Sequence, residues 1–233
     1  MPSRRLESLA HSVWKLPADR VVYLPNGVEI DRFADPVRDQ VAGFSRRPRE
    51  LVIGTVAPLR AEKNIARLLR VFALLASDVP TRLIVAGDGA ERAALERLSR
   101  DLGIADRVVF TGQVKPESVL GSFDVFALSS DTEQMPNSLL EAMAAGCAVA
   151  AVDVGDVASI VSAENRDYIV PRDEPLAFAA AIERLLRDAA ARDKLGRKNR
   201  ERAIAEFSQE RMFAGYSEVL GMTHTAAPRR PDQ

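Results

Sequence analysis

One cysteine, Cys147, is too few for a disulfide within the chain, and two histidines complete no zinc-binding spacing with it. Cys147 follows a helix-ending Gly146 and reads as a small buried residue; His11 and His224 stand outside any triad context. No apolar run approaches the roughly 18–20 residues that a membrane-spanning helix needs. The opening stretch, MPSRRLESLAHSVW, lacks the apolar segment of a secretion signal. Neither sign of charge dominates: 32 Lys and Arg face 33 Asp and Glu, for a net charge of −1. That balance gives no sign of a nucleic-acid partner. There is no P-loop, and Gly87-Asp88-Gly89 lacks the third glycine of the NAD fingerprint. No internal repeat is present. The expectation is a cytoplasmic protein with no metal site and no cofactor.

What is present fits one large α/β domain: 233 residues, 47% of them apolar. Short β-branched runs at residues 21–24, 51–56, 83–86, 108–111, 125–128 and 148–152 alternate with helical periodicity. Ile65, Leu68, Leu69, Phe72 and Leu75 share one face of a helix expected from about Glu62 to Ser77. Leu95, Leu98 and Leu102 mark the next helix, with Gly103 as its stop. Strands separated by helices imply parallel βαβ units with right-handed crossovers, hence a doubly wound, Rossmann-like parallel sheet. Ligands of such sheets sit beyond the carboxyl ends of the strands, where the loops 58–63, 87–89, 111–115, 129–137 and 153–157 fall. Asp153 and Asp156 read as loop or N-cap residues rather than metal ligands. After Pro171 the pattern is purely helical, over 173–190 and 191–207. Ser208 then reads as the N-cap of a last helix reaching Leu220, with Met212, Phe213, Tyr216, Val219 and Leu220 as its apolar set. Residues 223–233 read as a disordered polar tail.

The segment Glu133-Gln134-Met135-Pro136-Asn137-Ser138-Leu139-Leu140-Glu141 carries the most chemical information. Proline favours the first helical position, so a helix is expected to start at Pro136. The amides that follow, those of Asn137 and Ser138 foremost, would carry the positive end of the helix dipole and suit a terminal phosphate. Glu141 would lie about 7 Å further along the axis. Glu133 and Glu141 would then bracket an anion, and carboxylates accept hydrogen bonds from sugar and ribose hydroxyls. Spacing alone fits equally a capped core helix with two solvated acids. Lys63, at a helix start, sits on the wrong end of a dipole unless an anion binds there, at a cost of about 0.3–1 kcal/mol. A lysine bent into solvent is the other reading.

That segment, continued through Ala142-Met143-Ala144-Ala145-Gly146-Cys147-Ala148-Val149-Ala150, resembles the donor-site signature of family-4 glycosyltransferases, which have the GT-B fold. Four further stretches resemble the family in the same order: 22–33, 54–64, 83–89 and 108–112, with the ending 206–216 similar to its closing helix. The resemblance spans roughly residues 20–220 and implies a GT-B-type C-terminal domain that binds a nucleoside-diphosphate sugar. It implies a division into 1–19 as a remnant of an inter-domain segment, 20–207 as the donor-binding domain and 208–222 as the closing helix. An acceptor-binding first domain would complete such an enzyme.

By the same resemblance Lys63 steadies the donor diphosphate, Glu133 meets sugar hydroxyls and Glu141 holds the ribose. Gln113 and Val114 would meet the base, and Gln134 and Met135 the sugar; by its own backbone freedom Gly87 would allow close approach or serve equally a plain strand-to-helix turn. The family reads G-R-L-x-x-E-K where this chain has Ala57-Pro58-Leu59-Arg60-Ala61-Glu62-Lys63, so proline replaces an arginine and Arg60 is the substitute diphosphate ligand. No Asp-x-Asp is present to mark the metal-dependent sites of the other glycosyltransferase fold. The implied function is retaining, metal-independent sugar transfer, incomplete without an acceptor domain. The alternative is a non-catalytic nucleotide-sugar-binding subunit that completes a site with a separate acceptor-domain protein, or an oligomer formed through the closing helix. Membrane contact would be peripheral and only through the missing domain. A dehydrogenase or epimerase, and a folded product without function, stand behind these.

Overall fold

The computed structural model describes residues 1–34, 41, 44–75 and 78–222. The sequence-predicted tail 223–233 and the predicted helix end at Ser77 lie outside the described residues. Six strands form one sheet: β1 (Leu51–Val56), β2 (Thr81–Ala86), β3 (Val108–Gly112), β4 (Val125–Leu128), β5 (Ala148–Val152) and β6 (Ile169–Val170). Their order is β3-β2-β1-β4-β5-β6, and every pairing is parallel. The order reverses between β1 and β4, which defines the switch point of a doubly wound sheet.

Eight α-helices accompany the sheet among the described residues: α1 (Arg4–Ser12), α2 (Ile65–Leu74), α3 (Arg92–Asp101), α4 (Asn137–Ala144), α5 (Val157–Ile160), α6 (Pro175–Arg187), α7 (Ala189–Glu206) and α8 (Gln209–Val219). All residues of β4 and β5 are buried, as in a sheet covered on both faces. α2 buries Ile65, Leu68, Leu69, Val71 and Phe72, each a gain of about 1.5–3 kcal/mol. α4 packs on α7, where Gly196 and Gly146 let the two backbone segments approach closely. No described helix is long and apolar enough to cross a membrane.

Several expected boundaries move. Residues 21–24 do not join the sheet: the amide of Leu24 bonds to the carbonyl of Met1 at 2.9 Å, and the terminal ammonium to the carbonyl of Val22 at 2.7 Å. Their alternation serves a docked, extended segment instead. α2 begins at Ile65 rather than near Glu62, because Asn64 takes a left-handed conformation (φ 42°) and caps the helix through its side chain. The predicted 173–190 helix stops at Arg187, since Asp188 leaves helical geometry and caps α7. Ser208 caps α8 as expected, and Gly103 ends the α3 region at φ 68°. Residues 1–19 hold a regular helix whose first amides, of Arg4 and Arg5, donate to Asp156 at 2.5 and 3.1 Å. Asp156 thus caps a helix 151 residues away in sequence.

Candidate functional site

The site is assembled from the loops that leave β1 and β4 at the switch point. After β1 the chain is pressed against the β2 turn: Leu59 donates its amide to the carbonyl of Asp88 at 2.9 Å. Gly87 sits at φ 146°, and a Cβ there would come within 1.9 Å of the carbonyl oxygen of Ala57, so only glycine permits this approach. The chain then makes one turn of 3-10 helix over Ala61–Lys63, which delivers Lys63 just ahead of α2. Lys63 therefore precedes the helix cap rather than lying in the first turn, though it faces the same ligand region.

The β4 loop is tied to the β1 loop by a clamp that the sequence alone does not reveal. Asp131 accepts from Asn64 at 3.0 Å and from Arg67 at 2.7 Å, while its amide donates to the carbonyl of Glu62 at 2.8 Å. Arg67 also donates to the carbonyl of Ser129 at 2.6 Å, and the hydroxyl of Ser129 donates to the carbonyl of Lys63 at 3.2 Å. These bonds bring Lys63 Nζ to 2.7 Å from Oε1 of Glu133, which also accepts from the hydroxyl of Ser130 at 2.7 Å. Both partners are largely shielded, at 21% and 10% side-chain exposure, so the pair has more weight than a surface ion pair.

Beyond Glu133 the chain enters α4. Pro136 is extended (φ −70°, ψ 118°) and forms the N-cap, so the helix starts at Asn137 and not at Pro136 as expected. No side chain caps this end, and the amides of Asn137 and Ser138 have no partner among the described residues. Unpaired amides at a helix start are donors aimed along the dipole. Glu141 lies one turn on. Burial pushes its carboxyl up to about 7; Arg32 opposes this and Glu117 reinforces it. Arg32 is itself held by both oxygens of Glu117 at 2.7 Å.

A cleft of about 620 Å³ collects these groups. Of the expected site residues, Arg60, Lys63, Gly87, Gln113, Val114, Glu133, Met135, Asn137, Ser138 and Glu141 all line it. Gln134 does not: it lines a neighbouring groove with Asp153 and Gly155, and its carbonyl accepts from the amide of Asp156 at 3.1 Å. Pro58, at the departure from the family pattern, also lines the cleft. The volume matches small-molecule and cofactor sites. Among the described residues no group of three or more His, Cys, Asp or Glu is placed to share a metal ion. Asn26, Arg32, Asn64, Arg67 and Asp131 receive no individual role from the sequence, although all but Arg67 lie in stretches it singles out, for they bond to residues far along the chain.

Comparison with known proteins bears on the family and the fold. The chain is 31% identical over 218 residues to 2-deoxystreptamine glucosyltransferase of Streptomyces kanamyceticus, covering 88% of this chain and 56% of that protein. It superposes on sucrose-phosphate synthase from Thermosynechococcus elongatus with a TM-score of 0.84 and 28% identity, over 95% of this chain and 57% of the other. It shares its fold with Anabaena HepE, solved in complex with UDP, at a TM-score of 0.78 and 21% identity, over 89% of this chain and 59% of the other. The chain spans about half the length of the curated relatives it matches, 45% of one and 56% of another. The family model described as glycosyl transferases group 1 matches residues 38–202, and the chain belongs to that family.

Proposed function

We propose that this chain binds the nucleoside-diphosphate sugar of a retaining, metal-independent glycosyltransferase and supplies the donor half of its active site. The observation that carries the reading is the convergence of Lys63, Glu133, Glu141 and two unpaired α4 amides on one cleft at the switch point. In this reading the amides and Lys63 hold the diphosphate, Glu141 accepts from the ribose hydroxyls and Glu133 from the sugar. As the glycosidic bond to the diphosphate breaks, negative charge grows on the leaving oxygen. Fixed donors and an ammonium stabilise that charge more than the ground state. Arg60 lines the same cleft and supplies the second cation in place of the residue that Pro58 displaces. The acceptor binds on a separate domain. That HepE, which shares this fold, was solved with UDP supports a nucleotide ligand, and UDP, GDP and ADP are the probes to compare.

The test is a thermal-shift and calorimetric screen over those diphosphates and their sugars, followed by a transfer assay on the chain alone. Binding without transfer is expected. Robust transfer by the chain alone would refute the division of labour, and no binding would refute the reading.

A second reading, a non-catalytic binding subunit, draws on α8. Phe213, Tyr216, Val219 and Leu220 are 44–67% exposed there, and the helix buries none of its residues. Light scattering on the purified chain, alone and mixed with an acceptor-domain protein, tests this reading: a stable complex favours the subunit, and a chain that stays uncomplexed in the mixture counts against it.

A further inference from the structure

Asn26 lies outside the motif that marks the site, yet its side chain reaches the helix start that the motif builds. Its Nδ2 donates to the carbonyl of Met135 at 3.2 Å and to Oδ1 of Asn137 at 3.0 Å. The first bond fixes the second. A carbonyl oxygen only accepts, so the Asn26 atom facing Met135 must be the NH2 group. That group also faces the carboxamide of Asn137, which must therefore present its oxygen. The NH2 group of Asn137 is then turned away from Asn26 and has no partner among the described residues; Asn137 lines both the cleft and an adjoining hollow shared with Arg32 and Glu141.

Asn26 is itself firmly placed. Its amide donates to Sδ of Met135 at 3.1 Å, and that of Gly27 to Sδ of Met212 at 3.1 Å. Val28 pairs with Ser208 at the start of α8. A Cβ on Gly27 would lie 2.7 Å from the carbonyl oxygen of Ser208, so this backbone sits flush against the helix start.

We propose that the Asn137 side chain is a direct ligand of the terminal phosphate, a third donor beside the amides of Asn137 and Ser138, and that Asn26 is the positioning residue that aims it. This rests on the donor-binding reading above. A bond from a carboxamide N–H to a phosphate is charge-assisted and so among the stronger kinds. A carboxamide free to flip would also present its oxygen, which a phosphate repels. Asn26 removes that choice.

The test compares the affinity for a nucleoside diphosphate with that for its monophosphate, using UDP and UMP or whichever base pairing the unmodified chain binds. Asn137→Ala should lower diphosphate affinity by about ten- to a hundredfold. Monophosphate affinity should change little, so the ratio of the two falls. Asn26→Ala should lower the ratio in the same direction, and should add nothing on the Asn137→Ala background. Asn26→Leu, similar in size and without a donor, should act like Asn26→Ala and serves if that variant fails to fold. A ratio that survives Asn137→Ala, or an Asn26 effect that persists without Asn137, overturns the assignment while the donor-binding reading stands. If the unmodified chain binds none of UDP, GDP and ADP, that reading falls and this inference with it.

Discussion

Lys63 and Glu133, 70 residues apart, hold each other at 2.7 Å across the cleft between the β1 and β4 loops. In the proposed complex each has a further partner: a diphosphate competes for the ammonium, and sugar hydroxyls compete for the carboxylate. The pair is therefore a point where donor binding exchanges one set of bonds for another. Removing either member has opposite consequences for a bare diphosphate. Glu133→Gln leaves Lys63 free for the anion and should raise diphosphate affinity, by about threefold to tenfold for 0.6–1.4 kcal/mol, while lowering affinity for the sugar-bearing donor. Titration calorimetry with UDP and UDP-glucose measures both. Equal losses for both ligands would mean that Glu133 only supports the loop.

Glu141 gives a pH dependence. Its carboxyl is raised to about 7 by burial, against the pull of Arg32. A carboxylate accepts from two ribose hydroxyls, whereas its protonated form gives up part of that capacity. Affinity for UDP-glucose, whose phosphates are diesters and do not titrate nearby, should rise as pH passes through about 7 and then level off. Glu141→Gln should flatten this profile. Stability runs the other way, since the folded carboxyl binds its proton more tightly than the unfolded one. That contribution is fully present below the ordinary carboxylate range and lost as pH rises through about 7. Glu141→Gln should consequently raise Tm at pH 8 by about 2–4 °C, the shift that about 1 kcal/mol produces in a domain of this size. An unchanged Tm at pH 8 would mean that the charged form is adequately solvated.

Asp131 tests the clamp between the two loops. Burial raises its carboxyl, but the bonds from Asn64 and Arg67 outweigh burial and hold it below its usual value. A depressed carboxyl adds stability above the ordinary range, and that stability is lost as pH falls through the folded value. Asp131→Asn should cost about 1 kcal/mol at neutral pH, since the group is partly exposed and its loss is cushioned by water. It should also make the acid side of the stability curve shallower. Urea unfolding at several pH values measures both, and parallel acid limbs for the two proteins would rule out the clamp as their source.

The α4–α7 contact tests how packing carries the site. A Cβ on Gly196 would fall 2.1 Å from the carbonyl oxygen of Gly146, a backbone atom that cannot turn aside. Gly196→Ala should cost about 1–3 kcal/mol by overpacking. Tm should fall by about 2–12 °C. Because α4 carries Asn137, Ser138 and Glu141, diphosphate affinity should fall as well. A stable variant with full affinity would show that α7 can shift without moving α4.

Five of the six strands were legible because each is a short apolar run between helical patterns. β6 was not, for two residues make no pattern. Residues 21–24 have strand composition but spend their backbone bonds on the first residue of the chain, a pairing that composition does not encode. The cleft was legible where local rules apply: a helix start, glycines at tight approaches, acids at a helical spacing. It was illegible where one residue is held by another far along the chain, as Asn64 and Arg67 are by Asp131, and Asn137 by Asn26. Gln134 went astray for a simpler reason. The turn at Gly155 comes up under the carbonyls of Glu133 and Gln134, and residue 134 faces the neighbouring groove.

The most direct measurement is calorimetric titration of the unmodified chain and of Lys63→Ala with UDP, GDP and ADP. The account expects at least one diphosphate to bind, and expects Lys63→Ala to weaken it by about ten- to a hundredfold with its fold intact. No binding by any of the three, or undiminished binding by a folded Lys63→Ala, would contradict it.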